Sequence, residues 1–434
     1  MTTTTILPVG AAYIEAVSAA TKEPAWLTNV RLEALELAGR LELPKYEKTR
    51  VDKWNISQYG QYNTEAAVAS FDQLPESVKG LIKTEDASNL IVQRNASVVF
   101  SQLSEELAQQ GVIFKDLHVA ATEHAELVQK HLFSVIKKDE NLVTALHAAA
   151  FTGGIFLYVP KNVQVEVPLQ ALFMHDQEDA AFSPHVLIVA EANSSVTYVD
   201  HSANTTSTSA IVRNIAIEVV VQAGAKVTVA SVNDLAANVT ELTFRRAEVA
   251  QDGQVNWIIG EMNAGNSATD TTSILRGNGS ESDAKVICVG SNDQKLSITT
   301  QAIHWGKNTN SDMVTRAAMR DEATAIINGV TKIEKGATYA NGEQTERVLM
   351  LSPKARGDAN PMLLIDEDEV KAGHAASVGQ VNENQLYYLM SRGISREQAQ
   401  KLIIYGFLAP IVTAIPIAAL EAQLSEVVER KLGQ

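Results

Sequence analysis

The chain has 434 residues, 45% of them hydrophobic, and a formal net charge of −15. That length supports a large core divided into two or three structural regions. The acidic balance argues against a nucleic-acid partner, which requires a basic surface, and disfavours docking on anionic lipid.

The N-terminus, Met1-Thr2-Thr3-Thr4-Thr5-Ile6-Leu7-Pro8, has no positive segment and no apolar run of secretory length. Residues 11 to about 150 read mainly as helices. Ala16, Ala19 and Ala20, then Leu32, Leu35 and Leu37, recur at near-helical spacing, as do Leu103 and Leu107, and Leu127, Val128, Leu132, Val135 and Ile136. The polar and aromatic stretch 49–73 reads as loop with a short strand. His118, His124 and His131 on these helices read as exposed or capping residues.

From about Gly153 the hydrophobic period becomes two. Ile155-Phe156-Leu157-Tyr158-Val159, Val186-Leu187-Ile188-Val189 and Ile215-Ala216-Ile217-Glu218-Val219-Val220-Val221 are strand-like, bounded by Asn, Ser, Gly and Asp. Val196, Val227, Val255 and Val286 each open a strand after small or polar residues, at steps of 31, 28 and 31 residues. Repetition at this period predicts stacked coils, and a parallel β-helix fits better than a sandwich, which the period alone leaves open. Cys288 lies in the apolar run Val286-Ile287-Cys288-Val289 and reads as a small buried hydrophobe. As the only cysteine it forms no intrachain disulfide, so a reducing, cytoplasmic compartment is expected. His201, beside Asp200, reads as a loop residue at a strand end.

The body ends in four consecutive carboxylates, Asp366-Glu367-Asp368-Glu369, which lead through small residues to His374. Imidazole suits iron or zinc, and carboxylates add hard oxygen ligands. On an extended strand, alternation would send Asp366 and Asp368 to one face and Glu367 and Glu369 to the other. A solvated acidic strand end with a turn histidine accounts for the same residues, and chemistry alone does not decide between the two. The regions are therefore 1–150, helical; 151–372, β-coil; and 373–434, helical. In the last, Asn382-Glu383-Asn384-Gln385 is a capping box and Arg392-Gly393 a stop. A second helix from Ser395 runs to Pro410, and a third after Pro416 carries Ile417, Leu420, Leu424, Val427 and Val428. The uncharged stretch 403–420 reads as two buried helices and a turn rather than a membrane span, because of Pro410 and Pro416. These helices expose an apolar stripe that must meet the body or another chain. No phosphate-cradling loop, Gly-x-Ser-x-Gly turn, His-Glu-x-x-His or Cys-x-x-Cys is present.

Four segments carry a family resemblance: His304-Trp305-Gly306-Lys307-Asn308-Thr309-Asn310-Ser311-Asp312, the run 336–352, the run 368–380, and 385–394. The chain resembles the SufB/SufD family of the SUF iron–sulfur cluster assembly system over at least 300–410. The resemblance implies a mainly β protein with α: a right-handed parallel β-helix flanked by N- and C-terminal helical regions. It implies a non-catalytic scaffold that pairs with the paralogue SufB through the β-helices. It also implies recruitment of the ATPase SufC, which supplies ATP hydrolysis, through C-terminal helices that include Leu386, Tyr387, Leu402, Ile403 and Phe407. His374 would then be a ligand to iron or to a transient iron–sulfur cluster shared with SufB, assisted by Asp366 or Glu367, with no cofactor held tightly by the isolated chain. Relatives often carry a cysteine where this chain has Ala372, so any mechanism needing that thiol is excluded. The Gly-His-Ala-Ala-Ser-Val-Gly form and the absence of other cysteines lean toward the SufD branch. The rivals are a β-helix enzyme acting on acidic polysaccharide and a homodimer without catalytic function.

Overall fold

From Gly154 onward successive strands fall alternately in two parallel sheets, so that each pair of strands completes one coil of a solenoid. The computed structural model describes residues 7–82, 84–413 and 418–433. One sheet has ten strands and the other nine, and together they make about eight turns of parallel β-solenoid. The mainly β fold with flanking helices agrees with the expectation.

The repeat period is visible in the register. Val196 pairs with Val227, Val227 with Val255, Val255 with Ser282, Ser282 with Ser311, Ser311 with Gly342 and Gly342 with Ala372. The first two steps are those of the valine repeat. The third is not: Val286 pairs with Ile259, because that coil is shorter and its lumen position is taken by serine. The interior thus changes from β-branched to small and polar toward the C-terminal end.

Each coil turns a corner through a residue with positive φ: Asn162, Asn193, Gly224, Asp252, Gly279, Asn308 and Tyr339. Their N–H groups donate to carbonyls of the next coil, as Asn193 does to Ala223 and Asn308 to Thr338. Asn and Asp tolerate this conformation because their short polar side chains bond locally, and Gly has no Cβ to clash. Tyr339, at the last of these corners, breaks the pattern and is exposed.

The solenoid has three apolar layers. Its lumen packs Leu157, Ile188, Tyr198, Ile217, Val229, Trp257 and Val286. The outer face of the nine-stranded sheet is covered by N-terminal helices, with Phe156, Leu187 and Val189 against Ile14, Leu27 and Leu117. The outer face of the ten-stranded sheet is covered by C-terminal helices, with Val199, Val232, Ile287 and Ala318 against Ile404, Leu408, Leu424 and Val428. Strands buried on both faces read as continuous apolar runs, which is why strict alternation fades in mid-chain.

The lumen also carries buried charge. Arg213 pairs with Glu241 at 2.7 Å and Arg245 with Glu261 at 2.9 Å. Asp200 accepts from Ser231 Oγ at 2.9 Å; burial raises its carboxyl from 3.8 to about 6, although Arg245 pulls the other way. A second buried set fastens the N-terminal region. Glu218 accepts N–H bonds from Phe133, Val135 and Ile136 and sits 3.1 Å from His185, which meets His147 at 2.9 Å.

The N-terminal region, expected to be mainly helical with a short strand within 49–73, has its strands elsewhere. Helices occupy Ala11–Thr21, Ala25–Ala38, Glu105–Gln109, Leu117–Glu123, Ala125–His131 and Leu142–Ala150, but strands occupy Leu90–Arg94, Ser97–Gln102 and Ile113–Asp116. These strands cap the solenoid: Ser97–Gln102 and Ile113–Asp116 close its first coil as antiparallel edges. Val135 and Ile136 lie beyond the helix end, in the turn held by Glu218. His118 and His131 are buried rather than exposed, His118 stacking on Phe151 beside Arg31. His201 is buried within the strand Ser195–Asn204, not in a loop. Pro410 does not end its helix, which continues from Arg396 to Val412, because the flanking Leu408, Ile411 and Val412 bury against the sheet and offset the lost hydrogen bond. Pro416 and Ile417 lie outside the described residues.

Candidate functional site

The two ends of the solenoid are unlike. The N-terminal end is closed by antiparallel strands, whereas the C-terminal end finishes on two parallel strands, Arg356–Ile365 and Lys371–Gln380, each outermost in its sheet. No strand among the described residues pairs with their outer edges. Lys371 N–H donates inward to Ala340. By the alternation of a parallel ladder, residues 372, 374, 376 and 378 direct their N–H and C=O groups to the open edge. Met362, Leu364, Ile365 and Val378 are exposed apolar residues on this coil. A bare edge flanked by apolar side chains is a template for another strand.

His374 is within this last strand, so it belongs to the solenoid and not to a turn or to the helices that begin at Glu383. Its neighbour Gly373 faces outward, where a Cβ would overlap the Glu343 carboxylate. Strand alternation therefore turns His374 toward the lumen side, in register over Gln344. Of the nine histidines it alone is exposed, the others being buried or, for His124, half-buried.

One coil inside that mouth lie Gln344 and Glu346, both buried. They reach across the lumen to Gly329, where an added Cβ would overlap Glu346 Oε1. Gln344 accepts from Thr331 Oγ1 at 3.3 Å and donates to the Met362 carbonyl at 3.2 Å. Glu346 Oε2 has no hydrogen-bond partner, and burial raises this carboxyl from 4.5 to about 7. Sequence reasoning passed over both residues. The signal was available, because Gly342, Gln344, Glu346 and Val348 share the inward phase of one strand.

Asp366 and Glu367 occupy a corner between the two last strands, so strand alternation does not sort them. Glu367 is buried and already engaged. It accepts from Gly336 N–H at 2.8 Å and Asp368 N–H at 2.9 Å, with Lys335 at 3.5 Å, and these backbone bonds hold its carboxyl below the usual range. Asp366 is exposed. Strand rise puts His374 about 10 Å past the strand's start. The oxygens of Glu367, one of the two carboxylates expected to assist His374, brace this corner. Among the described residues no group of three or more His, Cys, Asp and Glu side chains could hold a metal ion. Cys288 is buried, and burial raises its thiol to about 12, which fits the hydrophobe reading.

The C-terminal helices Glu383–Ser391 and Arg396–Val412 start as expected, with Asn382 Oδ1 accepting from Asn384 N–H at 2.9 Å and Ser395 Oγ from Gln398 N–H at 3.2 Å. Between them Tyr388, Leu389, Leu402, Ile403 and Gly406 line an apolar groove. Tyr387 and Leu402 are 75% and 54% exposed. Leu386 is buried, at 2% exposed, and half-buried Phe407 packs beneath Arg316 against this chain's own body, one of the two destinations expected for the apolar stripe. No helix among the described residues is long and apolar enough to cross a membrane.

A two-sheet parallel solenoid with one capped end, one bare end and a lone exposed histidine at that bare end defines a β-solenoid class of protein. Residues 173–407 match the family model described as SUF system FeS cluster assembly, SufBD core domain, and residues 15–171 match the SufBD protein N-terminal region. The chain belongs to this SufBD family of iron–sulfur cluster assembly proteins. It is 47% identical, over the full length of both chains, to the iron–sulfur cluster assembly protein SufD of Bacillus subtilis (strain 168). It is 29% identical to SufBD family proteins of Staphylococcus epidermidis (strain ATCC 12228) and Staphylococcus aureus (strain USA300), matching 91% of this chain and 87% of each relative.

Proposed function

We propose that this chain is a scaffold subunit of iron–sulfur cluster assembly whose C-terminal coil pairs with a SufB-type paralogue, with His374 at the seam as a ligand for iron or the nascent cluster. The observation that carries this reading is the contrast between the ends of the solenoid: antiparallel caps at one, and at the other a ten-residue strand with a free outer edge and an exposed histidine. The cluster is cargo, held transiently and shared, because a single imidazole with Ala372 beside it offers too few donors for tight retention. The groove between the last helices, with Tyr388, Leu402 and Ile403, is the docking surface for a SufC-type ATPase, which supplies the hydrolysis this scaffold does not perform.

The test is co-expression with the paralogue and the ATPase, followed by native mass measurement. A complex containing all three is expected, and a chain that stays alone or forms only a homodimer would overturn the reading. His374→Ala should leave that assembly intact while abolishing iron retention by it.

A further inference from the structure

Glu346 stands apart from the other buried carboxylates described above. Glu241 and Glu261 each hold a guanidinium, Asp200 holds a hydroxyl, and Glu218 and Glu367 hold backbone N–H groups. Glu346 Oε2 holds nothing, and no Lys or Arg charge acts on the group. A buried carboxylate without a compensating charge is costly, and the group relieves that cost by taking up a proton or by meeting a cation.

Its surroundings bury it without pairing it. Gly329 on the facing strand supplies the space into which the carboxylate extends. Ala376, in register directly above it on the last strand, covers it with one methyl group. The amide of Gln344, a neutral donor within the same strand face, is committed to Thr331 and Met362. His374 lies in register over Gln344, two residues along from the position over Glu346. Strand spacing and rise put the α-carbons of His374 and Glu346 about 8 Å apart on the same lumenal side. An imidazole and a glutamate side chain at that diagonal span can converge on one ion.

We infer that Glu346 is the second protein donor, from inside the lumen, for the divalent first-row metal ion that reaches His374. This rests on the scaffold reading for His374 and adds to it a residue one coil deeper. The ion brings the charge that the carboxylate lacks, and a nitrogen donor with an oxygen donor suits ferrous iron. The remaining positions fall to water or to the facing subunit, in keeping with the absence of a third ligand among the described residues.

The full-length chain is titrated anaerobically with Co²⁺, read by its visible d–d bands, and with Fe²⁺, read by calorimetry. Wild type is expected to show one saturable site. Glu346→Gln, isosteric and uncharged, should weaken it at least about tenfold with a thermal midpoint no lower than wild type. His374→Ala should weaken it comparably, and Glu343→Gln, on the outer face, should not. Loss of the site in His374→Ala with wild-type affinity in Glu346→Gln would overturn the role of Glu346 and leave that of His374 standing. No saturable site in the wild-type chain, or no effect of either variant, would overturn the pair. Complex formation, measured separately, reports on the scaffold reading itself.

Discussion

Ala376→Pro separates what the last strand does for this chain from what it does for a partner. The N–H of Ala376 points to the open edge, since Lys371 N–H donates inward and the ladder alternates. Proline there removes no bond of the isolated fold, and proline is tolerated on edge strands. Unfolding free energy should therefore change by no more than about 1 kcal/mol. A partner strand, by contrast, loses the hydrogen bond from residue 376 and must retreat from the ring, weakening its neighbour. Two bonds at about 1 kcal/mol each, plus the clash, amount to about 2–3 kcal/mol, or roughly 30- to 150-fold in affinity. Ala375→Pro is the internal control. Its N–H lies in the ladder with Asn341–Met350, so it should destabilise the chain itself by about 3 kcal/mol. Calorimetric binding of the paralogue and urea unfolding of the isolated variants measure the two effects. Equal stability of the two variants, or undiminished binding by Ala376→Pro, would refute edge pairing.

Three further outcomes are expected. Glu218→Gln keeps one acceptor oxygen but turns an amide toward backbone donors, so the N-terminal region should loosen by about 2–4 kcal/mol, seen as faster hydrogen exchange at Phe133, Val135 and Ile136. Asp200 has a folded pKa of about 6 against an ordinary 3.8, so its contribution favours folding below about 3.8 and is lost as pH rises through 6. That rise corresponds to about 3 kcal/mol, and Asp200→Asn should flatten the urea midpoint between pH 4 and 6. Leu402→Asp places a charge in the helix groove and should abolish ATPase capture in a pull-down while leaving paralogue pairing and the fold unchanged.

Much of the solenoid was legible because its coils repeat in valine. Val196, Val227 and Val255 pair as spaced, but Ser282 takes the next position, and a hydrophobic ruler cannot read a ladder that turns polar. Leu90-Ile91-Val92 was hidden by its shortness and by the helical residues around it; its pairing with Ser97–Gln102 on one side and Leu169–His175 on the other makes it a strand. His374 stood out in the sequence because of its setting, yet its lumenal direction depends on the phase of a strand whose boundary, at Lys371, no local signal marks. Glu367 looked like a ligand because a carboxylate near a histidine is chemically suggestive. Its commitment to Gly336 is a contact between residues 31 apart, visible only once coils stack. Leu386 and Tyr387 are adjacent and equally apolar in pattern, and helix phase alone decides that the first is buried.

The same stacking constrains how a load on the C-terminal helices reaches the mouth of the lumen. Helix Arg396–Val412 rests on the strands Glu281–Gly290 and Asn310–Met319, and Arg316 donates to the Phe407 carbonyl while covering its ring. In the helix Ala418–Gly433, Lys431 donates to the Val289 carbonyl at 2.7 Å, and its own carbonyl accepts from Arg320 at 2.8 Å. The helices thus grip the ten-stranded sheet two and three strands behind its edge, not at the strand bearing His374. Force applied at Leu402 and Ile403 passes to that sheet as a body, since each ladder between grip and edge is continuous over ten residues. The softest join available is across the lumen, where Gln344 ties the ten-stranded sheet to the Met362 carbonyl and Thr331 of the other by bonds of 3.2 and 3.3 Å. Two long hydrogen bonds between neutral groups, about 1 kcal/mol each, yield before a ladder does. On the proposed function, displacement of the helices would therefore open the space between the sheets around Gln344, next to His374 and Glu346, rather than peel away the last strand.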